Sequence, residues 1–227
     1  MSATAEESRK PYVPAMGHDR LLPLYDPLQR LLGMGSVHRQ LVDQACIQPH
    51  QRVLEIGCGT GNLVNLIKRL HPGAEVVGID PDPKALARAQ RKAGREALSV
   101  QLDHGFAEQL PYPDASFDRV LSALMFHHLG PKEQQESLGE VRRVLKPGGS
   151  LHLLDFGGAT ARSDGFLARL HQRSERLRNN FGDRIPTLMR EAGFADLTEV
   201  ELRRMYDEPA ESACFGEEFL WTALFRR

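Results

Sequence analysis

Short apolar runs alternate with stretches of helical periodicity through the middle of the chain. Runs rich in Val, Ile and Leu, bounded by Gly, Pro or polar residues, predict strands at 52–56, 75–79, 99–102, 117–124 and 150–156. Apolar residues at spacings of three and four predict helices at 62–70, 83–97 and 132–145. Strands that alternate with helices of this length are typical of βαβ units with right-handed crossovers, so we expect a mostly parallel sheet.

The flanking regions extend this core on both sides. Residues 18–47 read as two helical pieces broken near Gly33 and Gly35. After the core, the pattern predicts helices at 164–180 and 184–191, then two final strands at 195–204 and 218–226. We expect these strands to form a hairpin-like pair at one end of the sheet. The fold class is therefore α/β, with a doubly wound, seven-stranded, mostly parallel sheet.

Composition narrows the function classes. The 227 residues are 41% hydrophobic and 26% charged, which is typical of a globular protein, and the net charge is −1. That balance argues against a dedicated nucleic-acid binder, which usually has a strong basic excess. Cys46, Cys58 and Cys214 are scattered and form no CxxC. We therefore expect no disulfide framework, no metal site and a reducing compartment.

The N-terminal residues predict neither a targeting signal nor an anchor. Residues 1–10 contain Glu6 and Glu7 and no apolar core, so they resemble neither a signal peptide nor a transit peptide. No window approaches 18 apolar residues, the length at which a transmembrane helix is considered. We expect 1–17 to be a flexible tail and the protein to be cytoplasmic.

A glycine-rich turn after the first core strand carries the main functional signal. Gly57, Gly59 and Gly61 follow the strand, and a helix begins just after them. Glycines there let a backbone approach a ligand closely, and the helix N-terminus offers unpaired N–H groups. The next strand ends at Asp80, about 20 residues further on, where an acid can accept both hydroxyls of a ribose.

Two features decide which nucleotide-like ligand suits this turn. The dinucleotide fingerprint GxGxxG requires a third glycine where this chain has Asn62. Glu55, in the strand just before the turn, repels a pyrophosphate but suits a cation. S-adenosylmethionine carries a sulfonium and an ammonium and no phosphate, so it fits better than a nicotinamide dinucleotide. The chain also has neither a GxxxxGK[ST] phosphate loop nor a GxSxG hydrolase turn.

Ordered motifs between residues 50 and 157 resemble those of the class I S-adenosylmethionine-dependent methyltransferases. The matching segments are VLEIGCGTG, Asp80, FAEQLPYPDASFD and RVLKPGG. More loosely, Tyr25-Asp26, Gly35 and His38-Arg39 resemble the N-terminal segment of ubiquinone/menaquinone-biosynthesis methyltransferases and their small-molecule relatives. Those quinone enzymes have an Arg-Asn pair after the fourth strand, whereas this chain has Phe126-His127-His128, and the C-terminal regions also differ.

The resemblance implies S-adenosylmethionine as cofactor and a set of residues that bind it. Glu55 is expected to orient the amino group, Asp80 to hold the ribose and Pro81 to line the adenine. The remaining cofactor residues implied are Gly57, Gly59, Thr60, Gly61, Phe106, Ala107 and Ser122. The family often has Asp or Asn at Phe106, so here the backbone of Ala107 or stacking by Phe106 must replace that contact.

The implied reaction is in-line transfer of the activated methyl group to a small-molecule acceptor. An acceptor that must lose a proton needs a base, and histidine is suited to that role near neutral pH. His127 and His128 follow the fourth strand; His128 is the first choice because related enzymes often have a histidine there. Tyr25 is a weaker candidate. Asp155 is expected to end its strand as a structural acceptor. His38, Arg39 and Phe126 are assigned to substrate binding.

The chain is thus expected to hold one methyltransferase domain at 18–227. Its parts are an N-terminal helical cover at 18–48, a cofactor-binding core at 49–157, a substrate lid at 158–195 and final strands at 196–227. Three alternatives remain: a peripheral quinone or lipid methyltransferase with weak membrane contact, a nicotinamide-dependent oxidoreductase, and a non-catalytic S-adenosylmethionine-binding protein. The identity of the acceptor and the oligomeric state stay open.

Overall fold

The computed structural model describes residues 26, 27, 29, 31, 33–155, 184–200 and 221–226. The helices are α1 (Met34–Gln44), α2 (Asn62–Leu70), α3 (Pro83–Arg95), α4 (Pro131–Val144) and α5 (Arg184–Glu191). The strands are β1 (Arg52–Ile56), β2 (Glu75–Asp80), β3 (Gln101–His104), β4 (Phe117–Ala123), β5 (Leu145–Asp155), β6 (Ala195–Val200) and β7 (Trp221–Arg226). A short 3-10 helix, Phe126–His128, follows β4.

The sheet order is β3-β2-β1-β4-β5-β7-β6. β1 to β5 pair in parallel, as the βαβ pattern predicted, so the α/β fold with a parallel sheet is confirmed. β7 pairs antiparallel with both β5 and β6. The chain order reverses between β1 and β4, and ligands of open α/β sheets bind beyond the carboxyl ends of the strands at such a switch point.

Helices cover both faces of the parallel sheet. On one face, buried residues of β1, β2, β4 and β5 form a core with α4 and α5; its largest members include Leu54, Phe117 and Leu153. On the other face, a second core joins the sheet to α1 and α2 through residues such as Leu41, Leu63 and Leu121. Side chains alternate between the faces along each strand. Strands buried on both faces explain the nearly continuous apolar runs in the sequence.

The structure corrects the boundary between the helix predicted at 132–145 and the strand predicted at 150–156, which Pro147-Gly148-Gly149 separates in the sequence. α4 ends at Val144, and β5 begins at once with Leu145, which is fully buried and pairs with Phe117. The register then shifts before Arg119 pairs with Ser150. The Pro-Gly-Gly segment is therefore an irregularity inside β5, with Gly148 at φ 76°.

Several predicted segments lie outside the described residues. They are the tail at 1–17, Tyr25, the helix predicted at 164–180 and the lid at 158–195 except for its last part, 184–195. In the part of the chain that the structure describes, no helix combines the length and apolar character needed to cross a membrane.

Alanine substitutions at Gly61 in the glycine turn and at Gly139 in α4 should change the stability of the protein in opposite directions, which tests the packing around the switch point. Gly61 has φ 79°, and a Cβ there would lie 2.7 Å from the Cβ of Ala89. We expect Gly61→Ala to lower the free energy of unfolding by about 2 kcal/mol or more, since a left-handed non-glycine residue alone costs roughly 1–2 kcal/mol. Urea unfolding measures this change.

Gly139 is the matched control because it lies inside α4, where no described atom stands within 4 Å of the place a Cβ would take. Gly139→Ala should raise the free energy of unfolding by roughly 0.5–1 kcal/mol, as helix propensity predicts. Equal effects of the two substitutions would contradict the tight packing of Gly61 on α3.

Candidate active site

The turn between β1 and α2 has left-handed backbone at all three of its glycines. The φ angles are 74° at Gly57, 50° at Gly59 and 79° at Gly61. A side chain at Gly57 would collide with Met125, and one at Gly61 would collide with Ala89. At Gly59, by contrast, no atom of the described residues lies within 4 Å of where a Cβ would stand. The outer glycines therefore serve packing, whereas Gly59 faces open space that a ligand can enter.

Asp80 joins this turn to the end of β2. Its Oδ2 accepts the backbone N–H of Gly59 and its Oδ1 accepts that of Asp82, each at 2.8 Å. The residue is 9% exposed, and burial raises its pKa to about 6 despite these hydrogen bonds. Each carboxylate oxygen has two lone pairs, so both can still accept a ligand hydroxyl. The structure thus brings two of the expected cofactor-binding residues, Asp80 and Gly59, into direct contact.

Glu55 lies beside Asp80 in the protein interior. It is 3% exposed, and its Oε2 has no hydrogen-bond partner within the described residues. Burial raises the pKa of Glu55 well above its usual range, and the negative charge of Asp80 raises it further. The backbone N–H of Val64 and the positive charge of Lys92 lower this pKa but do not outweigh burial, so the charged form of Glu55 is costly. A cationic group on a ligand would relieve that cost, so this pair of acids favours a cation.

A polar cluster, which we call the loop latch, connects the N-terminal segment to the glycine turn. It consists of Asp26, Gln29, Thr60, Asn62 and Lys92. Asp26 Oδ1 accepts the hydroxyl of Thr60 at 2.6 Å and the amide of Asn62 at 3.0 Å, and Oδ2 pairs with the Lys92 ammonium at 2.7 Å. Lys92 also donates to Asn62 Oδ1 at 2.7 Å, while Asn62 donates to Gln29 at 2.9 Å.

The loop latch keeps the Asp26 carboxyl ionised next to the glycine turn. Burial works against ionisation of Asp26, but the hydrogen bonds from Lys92 and Thr60 outweigh it and lower its pKa. Asn62 occupies the position of the third glycine in a dinucleotide fingerprint. Here its side chain binds the N-terminal segment on one side and Lys92 on the other. Asn62, which replaces the third glycine of the fingerprint, therefore connects the glycine turn to the N-terminal segment and to α3.

His127 contacts Asp155 beyond the carboxyl ends of β4 and β5. The ring Nδ1 lies 2.7 Å from Asp155 Oδ1, and the backbone N–H of His127 donates to Oδ2 at 3.1 Å. Asp155 is fully buried and His127 is 9% exposed. Sequence analysis expected Asp155 to be a structural acceptor, and the structure gives it a histidine ring as partner.

The other residues of the 3-10 helix differ in their surroundings. The ring of His128 lies 4.0 Å from that of His127 and is half-buried. Phe126 is 3% exposed and packs in the core, and its carbonyl accepts the Gln134 amide at 3.2 Å. The expected substrate contact through the Phe126 ring therefore has no support in this geometry.

The expected adenine-binding residues lie near one another at the ends of β2 and β3. His104 Nε2 lies 3.1 Å from the carbonyl oxygen of Pro81, and its ring meets Phe106 edge-on at 6.2 Å between centroids. Phe106 is half-buried and Ala107 is 8% exposed. Stacking by the exposed part of Phe106 remains the proposal for this corner of the site.

Ser122, expected near the methionine portion of the cofactor, lies near the carboxyl end of β4. It pairs in register with Ile56, whereas Glu55 pairs with Leu121, so Ser122 and Glu55 point to opposite faces of the sheet. The Ser122 hydroxyl has no partner within the described residues. It borders a cavity of about 20 Å³ that is also lined by Met125 and Met189.

The substrate residues proposed on α1 do not share one surface. His38 is 6% exposed, and burial lowers its pKa to about 4. Arg39 lies on the solvent side, with a side chain 59% exposed and 3.9 Å from Asp43. The geometry therefore separates the two residues, and Tyr25 lies outside the described residues.

Sequence reasoning missed two residues beside the turn. Asp82 caps α3, because its Oδ1 accepts the backbone N–H of Lys84 at 2.8 Å. The signal was present as Asp followed by Pro83, which is common at a helix start. Lys92 gave no such signal, because no local pattern in the sequence relates it to the N-terminal segment. Its contact with Asp26 is purely tertiary.

Comparisons with known proteins agree with this geometry. A family profile described as "Methyltransferase domain" matches residues 53–149. The chain is similar to a demethylmenaquinone methyltransferase of Thermus thermophilus, with 39% identity over 154 residues, which covers 66% of this chain and 69% of the relative.

Two solved structures show the same fold. A SAM-dependent methyltransferase from Aquifex aeolicus matches with a TM-score of 0.63 and 17% identity, covering 83% of this chain and 88% of that one. The [4+2]-cyclase SpnF matches with a TM-score of 0.62 and 25% identity, covering 74% and 61%. One fold thus hosts different chemistries, so the acceptor must be argued from the site.

The raised pKa of Asp80 predicts a pH dependence of ligand binding. Asp80 titrates near 6 in the folded protein, against an ordinary value of 3.8, so it gains a proton as pH falls from 7 to 5. Protonation removes an anionic acceptor. S-adenosylhomocysteine affinity should therefore fall by about tenfold over this range, as one pKa unit predicts. Titration calorimetry at both pH values measures it.

Two variants test whether Asp80 causes the pH dependence of binding. Asp80→Asn should weaken binding at pH 7 and flatten the pH dependence, whereas Glu75→Gln, at the opposite end of β2, should leave both unchanged. An unaltered pH profile in Asp80→Asn would exclude Asp80 as its source.

The loop latch predicts an energetic coupling between Asp26 and Lys92. A double-mutant cycle of Asp26→Asn and Lys92→Met should give a coupling of about 1 kcal/mol or more, because the pair is largely enclosed and shares hydrogen bonds with Thr60. The control pair is Lys132 and Glu136, whose side chains are 87% and 44% exposed. That pair should give about 0.5 kcal/mol or less in urea unfolding; equal couplings would contradict the latch.

Proposed function

We infer the reaction of this chain from its family, since the chain belongs to the class I S-adenosylmethionine-dependent methyltransferases. It is therefore an enzyme that takes a methyl group from S-adenosylmethionine. We propose that the acceptor is a small aromatic hydroquinone, the reduced form of a quinone, and that the methyl group is transferred to a ring carbon. The relative from Thermus thermophilus bears the name of a demethylmenaquinone methyltransferase.

The structural observation that supports S-adenosylmethionine as the methyl donor is the fit of Glu55, Gly59 and Asp80 to this cofactor. The buried Oε2 of Glu55 needs a positive partner, and the ammonium of S-adenosylmethionine is one. Asp80 has lone pairs for two ribose hydroxyls, and Gly59 faces open space beside it. The bound cofactor supplies a methyl group on a positively charged sulfur, which becomes a neutral thioether when the group leaves.

The chain's own residues supply the proton transfer. A hydroquinone loses its O–H proton to a base, and the electron pair left on oxygen makes the adjacent ring carbon nucleophilic. That carbon forms the new bond to the methyl group as the C–S bond breaks with its electrons on sulfur. The ring carbon then loses its hydrogen to solvent as a proton, which restores aromaticity, and the phenolate oxygen takes a proton from solvent to give the methylated quinol. One of the two histidines after β4, His127 or His128, serves as the base.

Two covers complete the proposed enzyme. Residues 18–48 form the N-terminal cover, which the contacts of Asp26 with Thr60 and Asn62 support. Residues 158–195 form the substrate lid. Within its described part, Met189 of α5 is fully buried in the core that also contains Leu153 of β5, which supports the packing of this end of the lid on the sheet.

The acceptor proposal predicts a difference between two oxidation states of one compound. The full chain, with S-adenosylmethionine and a short-chain demethylmenaquinol, should form the ring-methylated quinol and S-adenosylhomocysteine, detected by mass spectrometry. The oxidised quinone should yield no product, because its electron-poor ring carbon is not a nucleophile. Binding of S-adenosylhomocysteine without turnover of the quinol would contradict the acceptor and leave the cofactor assignment standing.

A further inference from the structure

We propose that His127 is the catalytic base of this methyltransferase and that Asp155 is its positioning residue. The assignment rests on the proposed function, which leaves the base open between two histidines. It departs from the sequence-based preference for His128.

Asp155 determines which nitrogen of His127 is basic. Its Oδ2 accepts the backbone N–H of His127, and its Oδ1 lies 2.7 Å from the ring Nδ1. A carboxylate only accepts hydrogen bonds, so Nδ1 carries the proton of the neutral ring and Nε2 is its acceptor nitrogen. A buried acid that holds a histidine in one tautomer is a recurrent device for orienting a general base.

Two contacts fix this pair relative to the cofactor turn. Leu124, just after β4, has φ 56°, an unusual value for leucine, and its N–H donates to the carbonyl of Leu154 at 2.8 Å. The side chain of the next residue, Met125, packs closely on Gly57, so a Cβ added to Gly57 would collide with Met125. His127 is therefore tied to the end of β5 on one side and, through Met125, to the glycine turn on the other.

His128 packs its ring against the ring of His127. Both oxygens of Asp155 contact atoms of His127. His128 lies beside His127 with its ring tilted by 41° and centroids 4.0 Å apart. We assign His128 to the pocket wall. In the proposed step the acceptor O–H proton moves to Nε2 of His127, and solvent later takes it from the imidazolium.

The variants His127→Asn, Asp155→Asn and His128→Asn test the assignment. His127→Asn retains an N–H donor for Asp155 but has no basic nitrogen, so turnover of demethylmenaquinol at pH 7 should fall by about 100-fold or more. Asp155→Asn favours the wrong tautomer and should lose about tenfold or more. His128→Asn should lose clearly less turnover than His127→Asn, because it alters the pocket wall and leaves the base in place. Affinity for S-adenosylhomocysteine should be unchanged in all three.

The pH profile separates a base from a merely structural residue. As pH approaches about 10, where a phenol ionises by itself, the defect of His127→Asn should shrink, since no base is then needed. A structural defect would persist at every pH. A constant defect, or a larger loss in His128→Asn than in His127→Asn, overturns the proposal.

A spectroscopic test does not depend on the acceptor. In ¹⁵N-labelled wild type with S-adenosylhomocysteine bound, His127 should be in the Nδ1–H tautomer, and Asp155→Asn should shift it toward Nε2–H. An Nε2–H tautomer in wild type overturns the role of Asp155 whatever the acceptor is. The expected tautomer in an enzyme that does not methylate the quinol would instead indicate that the proposed acceptor alone is wrong.

Discussion

The hydrogen bonds of the Asp80 carboxylate hold the cofactor side of the site together. One oxygen fixes Gly59 in the turn after β1, and the other fixes Asp82 at the start of α3. The β1–α2 turn and the β2–α3 connection are thereby both held by hydrogen bonds to the buried Asp80 carboxylate. Burial makes that charge costly, as its raised pKa shows, and the adjacent Glu55 adds a second acid with an unsatisfied oxygen. The site is therefore arranged to accept a cationic ligand.

The order of the strands explains why two functions meet here. β1 and β2 supply the acids, and β4 and β5 supply the histidine and Asp155, while β1 and β4 are neighbours at the switch point. The elements are joined by packing as well as by pairing, because Met125 rests on Gly57. The expected cofactor-binding acids and the proposed base are thus at the ends of separate strand pairs, whose carboxyl ends share one edge of the sheet.

Sequence was sufficient where a local rule applied. The glycine turn, Glu55 and Asp80 follow from spacing and from the end points of two strands, and the structure brings them together. It was insufficient where the partner is distant along the chain. No local sequence pattern relates Lys92 to Asp26, which it contacts in the structure. Likewise, His127 and His128 cannot be told apart by sequence alone, and only the structure shows that His127 contacts Asp155. Pro147 and the following glycines resemble a helix stop, but pairing of Leu145 with Phe117 starts the strand earlier.

The central claim is that this carboxylate-lined turn binds S-adenosylmethionine rather than a phosphate-bearing nucleotide. Calorimetric titration of the wild-type chain with S-adenosylhomocysteine, and separately with NAD⁺ and NADH, tests it most directly. We expect S-adenosylhomocysteine to bind with micromolar affinity and the nicotinamide nucleotides not to bind. Binding of the nicotinamide nucleotides, or of no ligand by the folded protein, would contradict it.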